Sequence, residues 1–331
     1  MSAQTAFSAD LLKLDAAGAA DRITAAIREQ VLKDLRRKGA VLGLSGGIDS
    51  SVVAALSARA LGQDRVLALL MPERESSVDS LSLGRFVADH LGIATVVEDI
   101  TPLLEGAGCY RRRDEMIRKV IPEYGPDYKC KIVLPGLLDG ESYRIFSVVV
   151  QAPDGRQSKA RLTPEAYHGV VAATNFKQRV RKMMEYYHAD RLNYAVLGTP
   201  NRQEYDQGFF VKNGDGAADL KPLAHLYKTQ VYQLAEYLGI PEDIRSRPPT
   251  TDTYSMSQSQ EEFYFSLPYD KMDLCLYGRN HGVPAADVAR AAGLTAEQVD
   301  AVYRDIASKR KATRYQHLQP LLVEPIDEIA H

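Results

Sequence analysis

Residues 40–60 read AVLGLSGGIDSSVVAALSARA, and their local pattern is that of a strand, a glycine turn and a helix. Ala40 to Leu44 is a short apolar run ending at a turn, as expected of a central parallel strand. Ser45, Gly46 and Gly47 supply the turn, since glycine tolerates positive φ and lets a ligand approach the backbone. From Ser50 onward, Val52, Val53, Leu56 and Leu61 recur at helical spacing. The helix therefore starts at the turn and directs its free N–H groups and positive dipole end at whatever lies over it. An anion is the natural occupant. The hydroxyls of Ser45, Ser50 and Ser51 add donors. Asp49 adds a carboxylate, which beside an anion calls for a bridging cation such as Mg²⁺. No Gly-Lys-Ser/Thr follows, so this is not a Walker A loop, nor is it GxGxxG.

Strand and helix continue to alternate: RVLALLM (Arg65 to Met71) as a second strand, Ser80 to Leu91 as a helix and Ala94 to Asp99 as a third strand. A doubly wound parallel sheet with flanking helices follows from that order, with ligands beyond the carboxyl ends of the strands. Residues 101–174 are less regular. CYRRRDEMIRKV suits a solvated helix, and KIVLPG, YRIFSVVVQAP and GRQSKARLT suit strands joined by turns, so a small β insertion is expected at about 121–165. Its expected place is a surface decoration or a contact between copies. NFKQRVRKMMEYYH (Asn175 to His188) is a helix on which Arg179 and Arg181, two apart, face different directions. Arg181 reads as a surface group. YAVLG (Tyr194 to Gly198) is the fourth strand and ends at Thr199, on the ligand side. Lys228 to Leu238 is a helix, and residues from about 255 to 331 read as mostly helical.

The rest of the chain bounds the class. With 331 residues, 45% hydrophobic and 25% charged, it suits a soluble globular protein of one large domain or two. A net charge of -2 gives no argument for nucleic acid or an anionic membrane. Cys109, Cys130 and Cys275 are too few and scattered for a disulfide framework or a CxxC metal site, which fits a reducing cytoplasm. The N-terminal segment has no signal-peptide pattern and offers instead an amphipathic helix from about Ala19 to Lys38. No Ser-His-Asp or Cys-His set is legible, so no nucleophilic side chain is expected.

The SGGIDSS turn resembles the SGGxDS pyrophosphate loop of the N-type ATP pyrophosphatases. Further motifs narrow the likeness: NFKQRVRKM, GTPNRQE after the fourth strand, Phe209, Lys212, Gly214-Asp215-Gly216, Asp219, Lys228, Pro249-Thr250-Thr251-Asp252 and, more weakly, Ser308-Lys309-Arg310. In this order and spacing the chain resembles the ammonia-dependent NAD synthase family. The resemblance implies an adenine nucleotide alpha hydrolase-like fold and ATP-dependent amidation of deamido-NAD by ammonia through an acyl-adenylate. It implies that Gly43, Leu44, Ser45, Gly46, Gly47, Ile48, Asp49 and Ser50 cradle ATP with Thr199, Lys228 and Thr250, and that Asp49 and Glu204 hold Mg²⁺. By the same resemblance Arg179, Lys212, Asp219 and Lys309 hold deamido-NAD, the chain is a homodimer, and ammonia is free or delivered by a separate glutaminase.

The pattern departs in places. Gln260 puts an amide where the family carries an acid, Thr251 replaces alanine, Ser308 replaces histidine, and the segment from 101 to 174 is longer. An amide ligase of this superfamily acting on another small carboxylic acid is the alternative, ahead of a catalytically silent nucleotide-binding protein.

Overall fold

The computed structural model describes residues 7–134, 146–249 and 253–326. Its first α-helix, Ala16–Glu29 (α1), is started by Asp15, whose carboxylate accepts from the Gly18 N–H. The amphipathic pattern predicts one helix to Lys38, but regular α-geometry stops at Glu29 and a π-helical turn, Gln30–Asp34, follows. Ile23, Ile27 and Val31 remain buried, whereas Leu35 is exposed.

Strand and helix then alternate as Ala40–Gly43 (β1), Ile48–Leu61 (α2), Val66–Leu70 (β2), Val78–Leu91 (α3) and Ala94–Val97 (β3). Two helices, Thr101–Gly106 (α4) and Cys109–Arg118 (α5), lead to the strands Lys129–Val133 (β4), Ser147–Gln151 (β5) and Gln157–Arg161 (β6). A long helix, Pro164–Leu192 (α6), returns the chain to Ala195–Val196 (β7). Arg202–Gln207 (α7), Lys228–Tyr237 (α8), Glu242–Arg245 (α9), Tyr269–Asn280 (α10), Ala285–Ala292 (α11) and Ala296–His317 (α12) complete it.

The main sheet has the order β3-β2-β1-β7, all parallel. From β1 the chain steps outward through β2 to β3, then returns to the other side of β1 as β7. The order therefore reverses between β1 and β7, and a ligand crevice is expected outside their carboxyl ends. Residues alternate between two covered faces. Leu42, Ala68 and Leu70 pack with the helices α1, α2 and α8, and Val41, Leu67 and Leu69 pack with the α6 side. Burial on both faces is why these strands are continuous apolar runs.

Within the span of the expected insertion, β4, β5 and β6 pair as a separate antiparallel sheet in that order. Its apolar face, Cys130, Ile132, Val148 and Val150, packs with Ile117, Ala166, Val170 and Tyr254. Part of the expected insertion, residues 135–145, lies outside the described residues. Helix α5 is not the solvated helix that its charge suggests. It buries Cys109, Tyr110, Arg113 and Ile117, because Arg113 is paired at 2.6 Å with Glu75, itself at the edge of the core. Helix α6 starts eleven residues before its expected Asn175, at Pro164, where Thr163 accepts from the Ala166 N–H; proline fits the first helical position because the N–H it lacks has no intrahelical partner there. The C-terminal helices α10 to α12 form their own core around Phe265, Met272, Val299 and Ile306. Among the described residues no helix is long and apolar enough to cross a membrane.

Candidate active site

The turn after β1 is built for an anion. Gly46 has φ +76°, and a Cβ there would stand 2.4 Å from Cβ of Leu83 on α3, so only glycine fits. Gly47 is the N-cap of α2 and has no side chain with which to cap it, leaving the first-turn N–H groups for a ligand. The loop is held by its own serines: Ser50 and Ser51 donate to the Gly47 carbonyl at 2.9 and 2.8 Å, and Ser45 accepts from the Gly47 N–H at 3.3 Å.

Across the switch point, β7 ends in a second loop. Asn201 is the N-cap of α7 and forms a capping box with Glu204: its side chain accepts from the Gln203 and Glu204 N–H groups, while the Glu204 carboxylate accepts from the Asn201 N–H at 3.1 Å. The other Glu204 oxygen accepts from the Gln260 amide at 3.3 Å. Asp49, in the first turn of α2, is paired with the Lys228 ammonium and accepts from the Asn201 amide at 3.2 Å. Desolvation and the negative charge of Asp49 push the Glu204 carboxyl up to about 8. For Lys228 burial works against the ammonium, but the charges of Asp49 and Glu204 outweigh it and raise its pKa. Asp273 of α10 caps α8, accepting from the Lys228 and Thr229 N–H groups at 3.3 and 2.7 Å, and so fixes where Lys228 begins.

These groups open into one cleft of about 1140 Å³. It is lined by residues 43–50 and by Thr199, Glu204 and Lys228, which brings the two carboxylates and the lysine together with the glycine turn. Arg179 and Lys212 lie along it too. Lys212 donates to the Tyr315 carbonyl at 2.9 Å, and Arg179 donates to the Lys212 carbonyl at 3.2 Å, which links α6 to the end of α12. Two expected substrate residues do not line the cleft. Asp219 accepts from the Val196 N–H at 2.8 Å and from Tyr186 at 3.2 Å, at the open side of β7. Lys309 is paired with Asp305 at 2.7 Å and donates to the Tyr264 carbonyl at 2.7 Å. Thr250 lies outside the described residues, although its neighbour Pro249 lines the cleft. The insertion is more than decoration, since Ile132 and Phe146 form part of the cleft wall.

Comparison with known proteins gives the same direction. The NAD synthase family model matches residues 19–117 and 149–320. The chain belongs to the NAD synthase family. Among its relatives, the NH(3)-dependent NAD(+) synthetase of Rhizobium meliloti (strain 1021) is 64% identical over 323 residues, 98% of this chain and 96% of that protein. The NH(3)-dependent NAD(+) synthetase of Thermotoga neapolitana is 36% identical over 251 residues, 76% of this chain and 80% of that one. Among solved structures, the NH3-dependent NAD synthetase of Campylobacter jejuni has a TM-score of 0.62 at 21% identity, covering 94% of this chain and 100% of that one. At that identity it supports the shared adenine nucleotide alpha hydrolase-like fold. The gap in the family match, 118–148, contains β4, the first strand of the insertion.

Within this NAD synthase-family cleft, several residues had been given no ligand by the resemblance. Arg181 lines it rather than facing bulk solvent, with its Nε 3.4 Å from the Met71 carbonyl. Arg179 and Arg181 do diverge, one reaching toward Lys212 and the other toward the end of β2. Lys182 and Glu185 form a buried pair at 2.5 Å, and Asp215, held by the Val211 N–H at 2.8 Å, has its pKa raised by burial. The available signal was the recurrence of Gln178, Arg181, Lys182 and Glu185 at three- and four-residue spacing, which marks one polar helix face.

Proposed function

We propose that this chain catalyses ATP-dependent amidation of deamido-NAD to NAD with ammonia, releasing AMP and pyrophosphate. The observation that carries this reading is the meeting of Asp49 and Glu204, from the ends of β1 and β7, with Lys228 at the lip of the SGGIDSS turn. A carboxylate is a poor electrophile for ammonia. Its oxygen attacks the α-phosphorus of ATP, forming the acyl-adenylate as pyrophosphate leaves; ammonia then adds to the acyl carbon, AMP leaves with the bonding electrons, and the nitrogen loses a proton. Positioning and charge neutralisation suffice for both steps, so no nucleophilic side chain is required.

The residues divide accordingly. The α2 N-terminus with Ser45 and Ser50 binds the phosphates, while Ser51, buried and bonded to the Gly47 carbonyl, only braces the turn; Thr199 and Thr250 are further ATP contacts, and Lys228 offsets charge on the leaving pyrophosphate. The donor set fits Mg²⁺. Asp49 and Glu204 stand close enough for the charge of Asp49 to oppose ionisation of Glu204, a repulsion that a bound cation would relieve. Mg²⁺ takes one or two carboxylates and completes its sphere with phosphate and water. When bound by Asp49 and Glu204 it would neutralise phosphate charge. Arg179 and Lys212 are the cleft residues placed for the deamido-NAD anion. We further infer one domain with the β insertion and helical C-terminal region as parts of it, a homodimer, a cytoplasmic location, and ammonia that is either free or supplied by a separate glutaminase.

The test is to mix protein, ATP, Mg²⁺, ammonium and deamido-NAD and follow AMP, pyrophosphate and NAD. Equimolar release of all three, dependent on deamido-NAD, is expected; pyrophosphate release that ignores deamido-NAD would overturn the acceptor.

A further inference from the structure

Asn201 touches both carboxylates of the site through different atoms. Its side-chain oxygen accepts from the N–H groups of Gln203 and Glu204, fixing the start of α7 and hence the root of Glu204. Its side-chain nitrogen donates at 3.2 Å to Asp49, 152 positions earlier in the chain. Its backbone N–H donates to the Glu204 carboxylate itself at 3.1 Å. Asn201 is wholly buried, so these contacts are shielded from competing water.

We propose that Asn201 is a positioning residue that sets the separation of Asp49 and Glu204 for the divalent cation. Two carboxylates on the first turns of separate helices repel each other. A neutral amide is suited to bridging them because it offers a donor to one helix and an acceptor to the other without adding charge. Serine, threonine or aspartate would cap α7 as well as asparagine does; the asparagine amide adds a separate donor atom that reaches Asp49 while its oxygen caps. Mg²⁺ accepts little departure from octahedral geometry, so the spacing of its protein ligands matters. Gln260 completes the frame: it donates to Glu204 and accepts from the Tyr269 hydroxyl. Here an acid would remove that donor and add a third negative charge.

The inference rests on the reading of Asp49 and Glu204 as metal ligands, and the experiment separates the two. Mn²⁺ binding to the full chain is measured by electron paramagnetic resonance in the presence of a non-hydrolysable ATP analogue, with thermal melting in parallel. Asn201→Ser keeps the helix cap and is too short to reach Asp49. Mn²⁺ affinity is expected to fall about 10–100-fold, the range for groups that orient metal ligands, with the melting temperature little changed and the KM for deamido-NAD retained. Asn201→Thr, which also caps, gives the same reading if the serine variant does not fold. Asp49→Asn and Glu204→Gln are expected to abolish the binding. If those two bind Mn²⁺ as the unaltered chain does, the metal reading fails and this inference with it. If they lose binding while Asn201→Ser and Asn201→Thr do not, the positioning role alone is overturned.

Discussion

The Lys228 ammonium, wholly buried, is paired with Asp49 across the gap between the first residue of α8 and the first turn of α2. The Asp49 side chain keeps 16% exposure, so the two partners differ in what their loss leaves behind. Asp49→Asn leaves a buried ammonium with only the nearby charge of Glu204, at the low end of the ~3–5 kcal/mol typical of a broken buried pair. Lys228→Met leaves a carboxylate that water can reach, and removes the buried charge. Both substitutions are expected to abolish turnover, but Asp49→Asn should lower the melting temperature more. The double variant should recover part of that loss without recovering activity. Calorimetry on the three variants checks the order.

Glu204 makes the stability of the metal-free chain depend on pH. Its carboxyl is pushed up from the ordinary 4.5 to about 8 in the folded protein. The native state therefore holds a proton that the unfolded chain has lost, and this contribution is complete below pH 4.5 and disappears as pH rises through about 8. Melting temperatures in chelator should decline across that window. Glu204→Gln should flatten the decline, and an unchanged slope would show that another group is responsible.

Glu75 acts in the opposite sense. Burial disfavours its charge, yet the Arg113 hydrogen bond and the charges of Lys177 and Arg113 outweigh burial and hold it at about 2. A lowered carboxylate stabilises the fold above pH 4.5, and that stability is lost as pH falls toward 2. Lys177 joins Glu75 at 2.8 Å, Glu73 at 2.7 Å and the Thr253 carbonyl at 3.1 Å, tying the segment that follows β2, α6 and the backbone at Thr253 together. Glu75→Gln is expected to remove much of the acid-side loss in a melting series from pH 5 to 2.5.

What could be read from the chain and what could not divide by distance along it. The β1-turn-α2 unit was legible because its strand, glycines and helix are consecutive, and Glu204 because it follows the end of a strand. Asn201 lay inside a recognised motif, but its partner Asp49 is 152 positions away, and no local pattern records that pairing. The same holds for Arg113: its charge predicts a solvated helix, and only the arrival of Glu75, 38 positions earlier, makes its burial favourable. The start of α6 was hidden by Pro164 and the β-branched pair Val170-Val171, which mimic a break and a strand locally. The motif match assigned Asp219 to the substrate, and no local pattern records its bond to the Val196 N–H, 23 positions earlier.

That placement separates Asp219 from the other expected substrate residues. Arg179 and Lys212 line the cleft, so Arg179→Ala and Lys212→Ala are expected to raise the KM for deamido-NAD about tenfold, equivalent to ~1.4 kcal/mol of binding. The effect on kcat should be small if both hold the deamido-NAD anion equally in the ground and transition states. Asp219 instead accepts from the Val196 N–H in β7 and from Tyr186 on α6. Asp219→Ala leaves that strand N–H without its partner, a loss of about 1–3 kcal/mol. Its melting temperature should fall while the KM of the folded protein stays close to that of the unaltered chain. A tenfold rise in KM without thermal loss would instead place Asp219 against the substrate, by way of a second copy of the chain or a rearrangement on binding.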